Sequence, residues 1–134
     1  MAASSLKFLA DENISPVLVQ ILRKLGGGFI ESIHSKPEKG RPDEEWIPIY
    51  AERGYVVISP DRRQLREDRI AQIVAASGVR AIYLPRKFAD SRRWDQALWL
   101  LKHWWNLTER ADKMSPKGEV IVMYWDGRTV THRG

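Results

Sequence analysis

Hydrophobic and polar positions along this chain fall into two alternating rhythms. Short apolar runs at residues 6–13, 29–33, 55–59 and 79–84 predict strands, and apolar residues at every third or fourth position between them predict helices. Ser15 followed by Pro16 opens the first helix as N-cap and first helical residue; Val17, Ile21, Leu22 and Leu25 form its apolar face, and the glycines at 26–28 end it. After a polar connection at 35–42, Pro42 and Asp43 start a second helix that carries Trp46, Ile47 and Tyr50 and stops at Arg53 and Gly54. Residues 66–77 form a third helix and 91–114 a long fourth, with Trp94, Leu98, Leu101, Trp104, Trp105 and Leu107 among its apolar positions. Residues 119–125 and 128–131 flank Asp126-Gly127, a pair suited to a type I′ hairpin turn.

Strand and helix alternating up to that hairpin predict a single α/β domain over residues 1–134. Its parallel sheet would have right-handed crossovers and helices on both faces, making three layers, with the C-terminal hairpin as an antiparallel edge. Composition agrees, since 134 residues with 43% hydrophobic and 29% charged side chains are those of an ordered globular domain. No apolar segment reaches the roughly 18 residues of a bilayer span, because Lys102 and His103 interrupt the richest one. The first residues lack the apolar core of a signal peptide, so the expected location is the cytoplasm.

The chain has no cysteine, which removes thiolate nucleophiles, disulfides and cysteine-bound zinc together. A metal would have to be held by oxygen or by His34, His103 and His132, whose spacing forms no metal motif. The net charge of +5 favours a polyanionic partner.

The candidate chemistry lies in acids at the ends of strands. The first strand closes on Asp11 and Glu12 and the third is followed by Asp61, while Asp43, Glu44 and Glu45 open the helix leading into that third strand. Open α/β sheets bind ligands in the crevice beyond the carboxyl ends of their strands. Carboxylates gathered there cannot all stay ionised without compensation. A hard divalent cation resolves the conflict, and oxygen-only ligation suits Mg²⁺ or Mn²⁺. Metal-assisted phosphoryl hydrolysis is the reaction class that follows. Asp43 to Glu45 also have a plain structural use, since acids in a first helical turn favour the macrodipole. Asp11 lacks that excuse, because Ser15 already caps the helix. Basic residues follow the same strand ends: Arg62, Arg63, Arg66 and Arg69 after Asp61, and Arg86, Lys87, Arg92 and Arg93 after the fourth strand. They would neutralise phosphates in a salt-dependent way. No glycine-rich phosphate loop follows a strand.

The order FLADEN, GRPDEEWIPIYAERGYVVISPDRR, a helix, GVRAIYLPRK, a Trp-rich helix and a closing YWDGR hairpin resembles the compact PIN-like domains related to toxin ribonucleases of bacterial toxin–antitoxin pairs. The resemblance covers nearly the whole chain and is most specific over PDEEW and SPD. It implies a Mg²⁺- or Mn²⁺-dependent endoribonuclease acting on tRNA or mRNA, usually a homodimer, silenced by a cognate antitoxin. Asp11 matches the first acid, the group Asp43, Glu44 and Glu45 the second, and Asp61 the third. The catalytic set implied is Asp11, Asp43, Glu44 and Asp61, with Asp11, Glu44 and Asp61 as metal ligands and Ser59 and Asn13 in support. Arg62, Arg63, Arg66, Arg86 and Lys87 are the implied RNA contacts. Many members carry a further acid where this chain has Arg63, a departure that weakens the case for a second metal.

Two other classes compete with this expectation. One is a PIN-like nucleic-acid or protein binding module with little or no turnover, favoured by Arg63. The other is a phosphoacceptor receiver-like domain, which also places acids after its first and third strands but uses a later lysine that has no counterpart here.

Overall fold

The computed structural model describes residues 5–66 and 68–132. In chain order it contains β1 (Lys7–Ala10), α1 (Pro16–Lys24), β2 (Phe29–Ser32), α2 (Asp43–Glu52), β3 (Tyr55–Ser59), α3 (Asp68–Ser77), β4 (Arg80–Tyr83), α4 (Arg86–Asp90), α5 (Arg93–Asp112), β5 (Glu119–Met123) and β6 (Thr129–Thr131). Short 3₁₀ turns at Ile33–Ser35 and Arg62–Arg66 join them. The six strands form one sheet in the order β2-β1-β3-β4-β5-β6, parallel except for the β5–β6 hairpin. From β1 the chain steps outward to β2 and then returns across β1 to β3, so the strand order reverses between β1 and β3. A crevice opens at such a switch point, beyond the C-terminal strand ends.

Side chains alternate faces along each strand, and two separate cores result. On one face Phe8, Ala10, Val56, Ile58, Ile82 and Ile121 meet α1, α4 and α5 through Leu18, Leu22, Phe88, Trp99, Trp104 and Leu107. On the other, Leu9, Val57, Ala81, Tyr83 and Val120 meet α2 and α3 through Trp46, Ile47, Tyr50 and Ile73. Burial on both sides explains why β3 is apolar throughout. Ser15 caps α1 as expected, its Oγ accepting the Val17 N–H at 3.2 Å with Pro16 in first place. Trp94, Leu98 and Leu101 differ from expectation, forming an exposed stripe along α5 at helical spacing.

Three local expectations are corrected. Asp126-Gly127 forms no type I′ turn, because among the described residues every non-glycine has negative φ. Gly127 N–H instead bonds Tyr124 C=O at 2.9 Å, and Tyr124 N–H bonds Arg128 C=O at 2.8 Å, with Gly127 at φ +94°. That is a three-residue loop with a glycine bulge, which needs only one left-handed residue. The helix placed at 66–77 begins at Asp68, after a 3₁₀ turn. Lastly, the crossovers do not share one hand. α1 and α5 lie on the same face although their connections step in opposite directions along the sheet, so those two connections have opposite hands. The first three agree with one another and the α4–α5 connection is opposite to them, so the crossovers cannot all be right-handed. Phe88 of α4, fully buried, draws the chain to the α1 face before α5 begins.

Candidate active site at the strand switch point

The alternation that builds the cores also places the site. Asp11 follows Ala10, Ser59 ends β3 and Tyr83 ends β4, and in the sheet Ala10 stands opposite Ile58 while Ser59 stands opposite Tyr83. Asp11 extends the β1–β3 pairing by one residue, its N–H donating to Ile58 C=O at 3.0 Å. The three side chains therefore form a lateral row on the face covered by α2, whose first residue is Asp43.

Asp11 is 3% exposed. Its Oδ2 accepts the Ser59 hydroxyl, and its Oδ1 accepts the Asn13 N–H at 2.9 Å. Burial pushes this carboxyl up to about 7, and the nearby Asp43 charge adds to the rise, while the Ser59 and Asn13 hydrogen bonds oppose it. Ser59 Oγ in turn accepts the Asp61 N–H at 3.0 Å, so one hydroxyl ties the first acidic station to the third. Asp43 Oδ1 accepts the Trp46 indole N–H at 3.2 Å, which orients it from within its own helix.

Tyr83 is a residue that strand-end reasoning missed. Its side chain is 1% exposed, and burial together with the charges of Asp11, Asp43 and Asp61 raises its phenol far above the ordinary range. The charges of all three acids thus act on one buried hydroxyl. The signal was its register, opposite Ser59, which no sequence pattern reveals. Of the adjacent acids at the start of α2, Asp43 is the one whose charge reaches both Asp11 and Tyr83; Glu44 and Glu45 are exposed. Glu44, expected as a ligand, lies about 100° further round the helix from Asp43.

Glu12, adjacent to Asp11, has a structural task. Its Oε1 accepts the Gly40 N–H at 3.0 Å and its carbonyl accepts His34 Nε2–H at 3.0 Å, which holds the 35–42 loop against the first strand.

The basic residues divide among several roles. Arg63 clasps Asp61 with two bonds, Nε to Oδ1 at 2.9 Å and Nη2 to Oδ2 at 3.1 Å, and this holds the Asp61 carboxyl below its usual range. Arg62 donates to the backbone carbonyls of Leu84 and Met123, tying together the ends of β4 and β5. Lys87 lies over the Trp125 ring, 4.7 Å from its centroid. Arg86, exposed at the start of α4, lines a cleft of about 450 Å³ together with Asn13, Asp61, Arg62 and Arg63. The side chains of Arg66 and Arg69 lie outside the described residues.

The donor set suits a hard cation in kind, offering carboxylate oxygens and no sulfur. Among the described residues no three acidic or histidine side chains close on one point. Mg²⁺ does not require that, because it keeps several waters and is commonly bound through one or two carboxylates plus substrate phosphates. A buried carboxyl displaced to about 7 beside a second acid is a site that a cation would relieve. Asp61 would join it only by exchanging Arg63 for the metal.

A family model described as a PIN like domain matches residues 6–86, more than half the chain. No curated protein and no solved structure matches.

Proposed function

As a member of the PIN-like domain family, a family of nuclease type, this chain is one that we propose to be a Mg²⁺- or Mn²⁺-dependent endoribonuclease. Its substrate would be a tRNA or mRNA, and its setting a cytoplasmic toxin–antitoxin pair in which a cognate antitoxin silences it. The observation that carries the reading is the buried Asp11 carboxyl at the strand switch point, reached by the Asp43 charge and joined through the Ser59 hydroxyl to the Asp61 backbone N–H. A homodimer belongs to the same proposal, with the exposed Trp94, Leu98 and Leu101 stripe of α5 as the face that would be covered.

In this account Asp11 and Asp43 would hold the divalent ion, and Asp61 would complete the set once released from Arg63. When bound, the ion supplies Lewis acidity toward the phosphodiester and a hydroxide from water at neutral pH. Ser59 fixes the spacing of the site by donating to Asp11 Oδ2 and accepting from the Asp61 N–H. The Asn13 N–H holds the other oxygen of Asp11, so the carboxylate stays aimed along one direction. Arg86 and a released Arg63 face the cleft and would neutralise phosphate oxygens.

The experiment is incubation of an RNA pool with the purified protein in EDTA, Mg²⁺ or Mn²⁺, beside Asp11→Asn. Metal-dependent cleavage that disappears in the variant supports the assignment; undiminished cleavage by Asp11→Asn ends it. The second reading, a binding module with lost turnover, has the two-pronged Arg63–Asp61 pair in its favour. Retention of RNA by wild type and Arg63→Ala, with both silent under either metal, would decide for it.

A further inference from the structure

We infer that a single strand of nucleic acid leaves the acids in one direction, across the ends of β4 and β5, and stacks a base on Tyr124 of the C-terminal hairpin. The inference rests on the nuclease reading for its starting point but uses residues beyond the 6–86 family match. A second cleft of about 320 Å³, lined by Arg62, Arg86, Val122, Tyr124, Val130 and His132, shares Arg62 and Arg86 with the cleft beside Asp61. The two clefts meet at this pair of arginines and lead from Asp61 toward the hairpin. The floor of the second is Val122 of β5, whose side chain is 8% exposed, and Leu65 borders it on the same face.

Charge gives the groove its direction. On the β2 side of Asp11 the crevice is bordered by Asp43, Glu44 and Glu45 at the start of α2 and by Glu12 holding the 35–42 loop. Lys36, Lys39 and Arg41 of the same loop offset part of that charge. On the β4 side the cleft carries Arg62, Arg63 and Arg86 against Asp61 and Asp90. Tyr124 at the far end is 40% exposed, with the Arg62 guanidinium 5.8 Å and the Arg128 guanidinium 5.1 Å from its ring centroid. Hydrogen bonds with Arg128 and Gly127 fix its backbone at the start of the hairpin loop. Two strand spacings separate the end of β3 from the end of β5, about 10 Å, a span that a few nucleotides cover. An aromatic ring flanked by guanidinium groups beside a cationic groove is the arrangement that holds single strands without reading their sequence.

The test is fluorescence anisotropy with labelled oligouridylate and oligothymidylate in EDTA, so that no cleavage intervenes, with circular dichroism checking each variant's fold. Tyr124→Ala should weaken oligouridylate binding at least about fivefold, whereas Tyr124→Phe keeps it. Arg86→Ala should lower the slope of log affinity against log salt by about 0.7, the share of one single-strand phosphate. Lys39→Ala, on the acidic flank, should change nothing. Tyr124 dependence shared by oligothymidylate supports a path that takes any single strand, and dependence confined to oligouridylate supports one for RNA. Binding by Tyr124→Ala equal to wild type, a Lys39→Ala loss as large as that of Tyr124→Ala, or no binding of either oligonucleotide overturns the inference. Tyr124-dependent binding by a protein that cleaves nothing would remove the nuclease reading and leave the groove. Cleavage with Tyr124-independent binding would do the reverse.

Discussion

Replacing Asp11 by asparagine should separate stability from activity in a way that depends on pH. The folded carboxyl sits at about 7 against an ordinary value of 3.8. Between those values the folded state keeps a proton that the unfolded chain has released, so stability falls as pH rises through this window and levels off above it. At 1.36 kcal/mol per pKa unit the displacement is worth about 4 kcal/mol. The asparagine of Asp11→Asn is neutral at every pH and keeps an oxygen for the Asn13 N–H, but it cannot accept the Ser59 hydroxyl as a carboxylate does, a loss of about 1 kcal/mol. Urea unfolding in EDTA should therefore find the variant slightly less stable than wild type near pH 4 and about 3 kcal/mol more stable at pH 8. Taking the difference between the two proteins at each pH cancels every other titrating group they share. A wild-type advantage at pH 8, or a difference that does not change with pH, would refute the argument that an uncompensated charge is buried here. Added Mg²⁺ should narrow the gap at pH 8 by stabilising wild type alone, since a ligand stabilises only the state that binds it.

Arg63→Ala should lower the Mn²⁺ concentration for half-maximal cleavage several-fold, because Asp61 no longer has to exchange its guanidinium. The melting temperature should barely move, since an ion pair whose arginine is 82% exposed is worth at most about 1 kcal/mol. Gly127→Ala should destabilise by about 2 kcal/mol in urea unfolding, because a Cβ there would lie 2.6 Å from His103 Nδ1 in a backbone at φ +94°; an unchanged midpoint would mean that the hairpin is held some other way. Trp104→Phe should cost about 2 kcal/mol or more, leaving the Gly27 carbonyl without the buried indole N–H that bonds it at 2.7 Å.

The order of elements was legible because each rests on a local rule. The apolar run 55–59 is strand β3 residue for residue, and Ser15-Pro16 opens α1 through the cap its side chain makes. The pairing of β1 with β3, which sets Asp11 beside Ser59 at the switch point, followed from alternation and topology rules. What escaped depends on contacts distant in sequence. Tyr83 joins the acids through its register with Ser59. The five-residue helix α4 is too short to show a period, yet its Phe88 sends the last connection to the unexpected face. Arg63 reads as a lost acid in sequence, and only its geometry reveals that it occupies the carboxylate of Asp61. Choosing Asp43 over Glu44 required knowing which way the first turn of α2 faces the sheet.

The claim at the centre of this account is that acids from β1, α2 and the end of β3 act as one cation site. It is met most directly by titrating the metal-free protein with Mn²⁺ and following free Mn²⁺ by electron paramagnetic resonance, beside Asp11→Asn, Asp43→Asn and Arg63→Ala. The account predicts one site in wild type, loss of that site in each aspartate variant, and tighter binding in Arg63→Ala. Binding left intact by Asp11→Asn, or absent from wild type and Arg63→Ala alike, would contradict it.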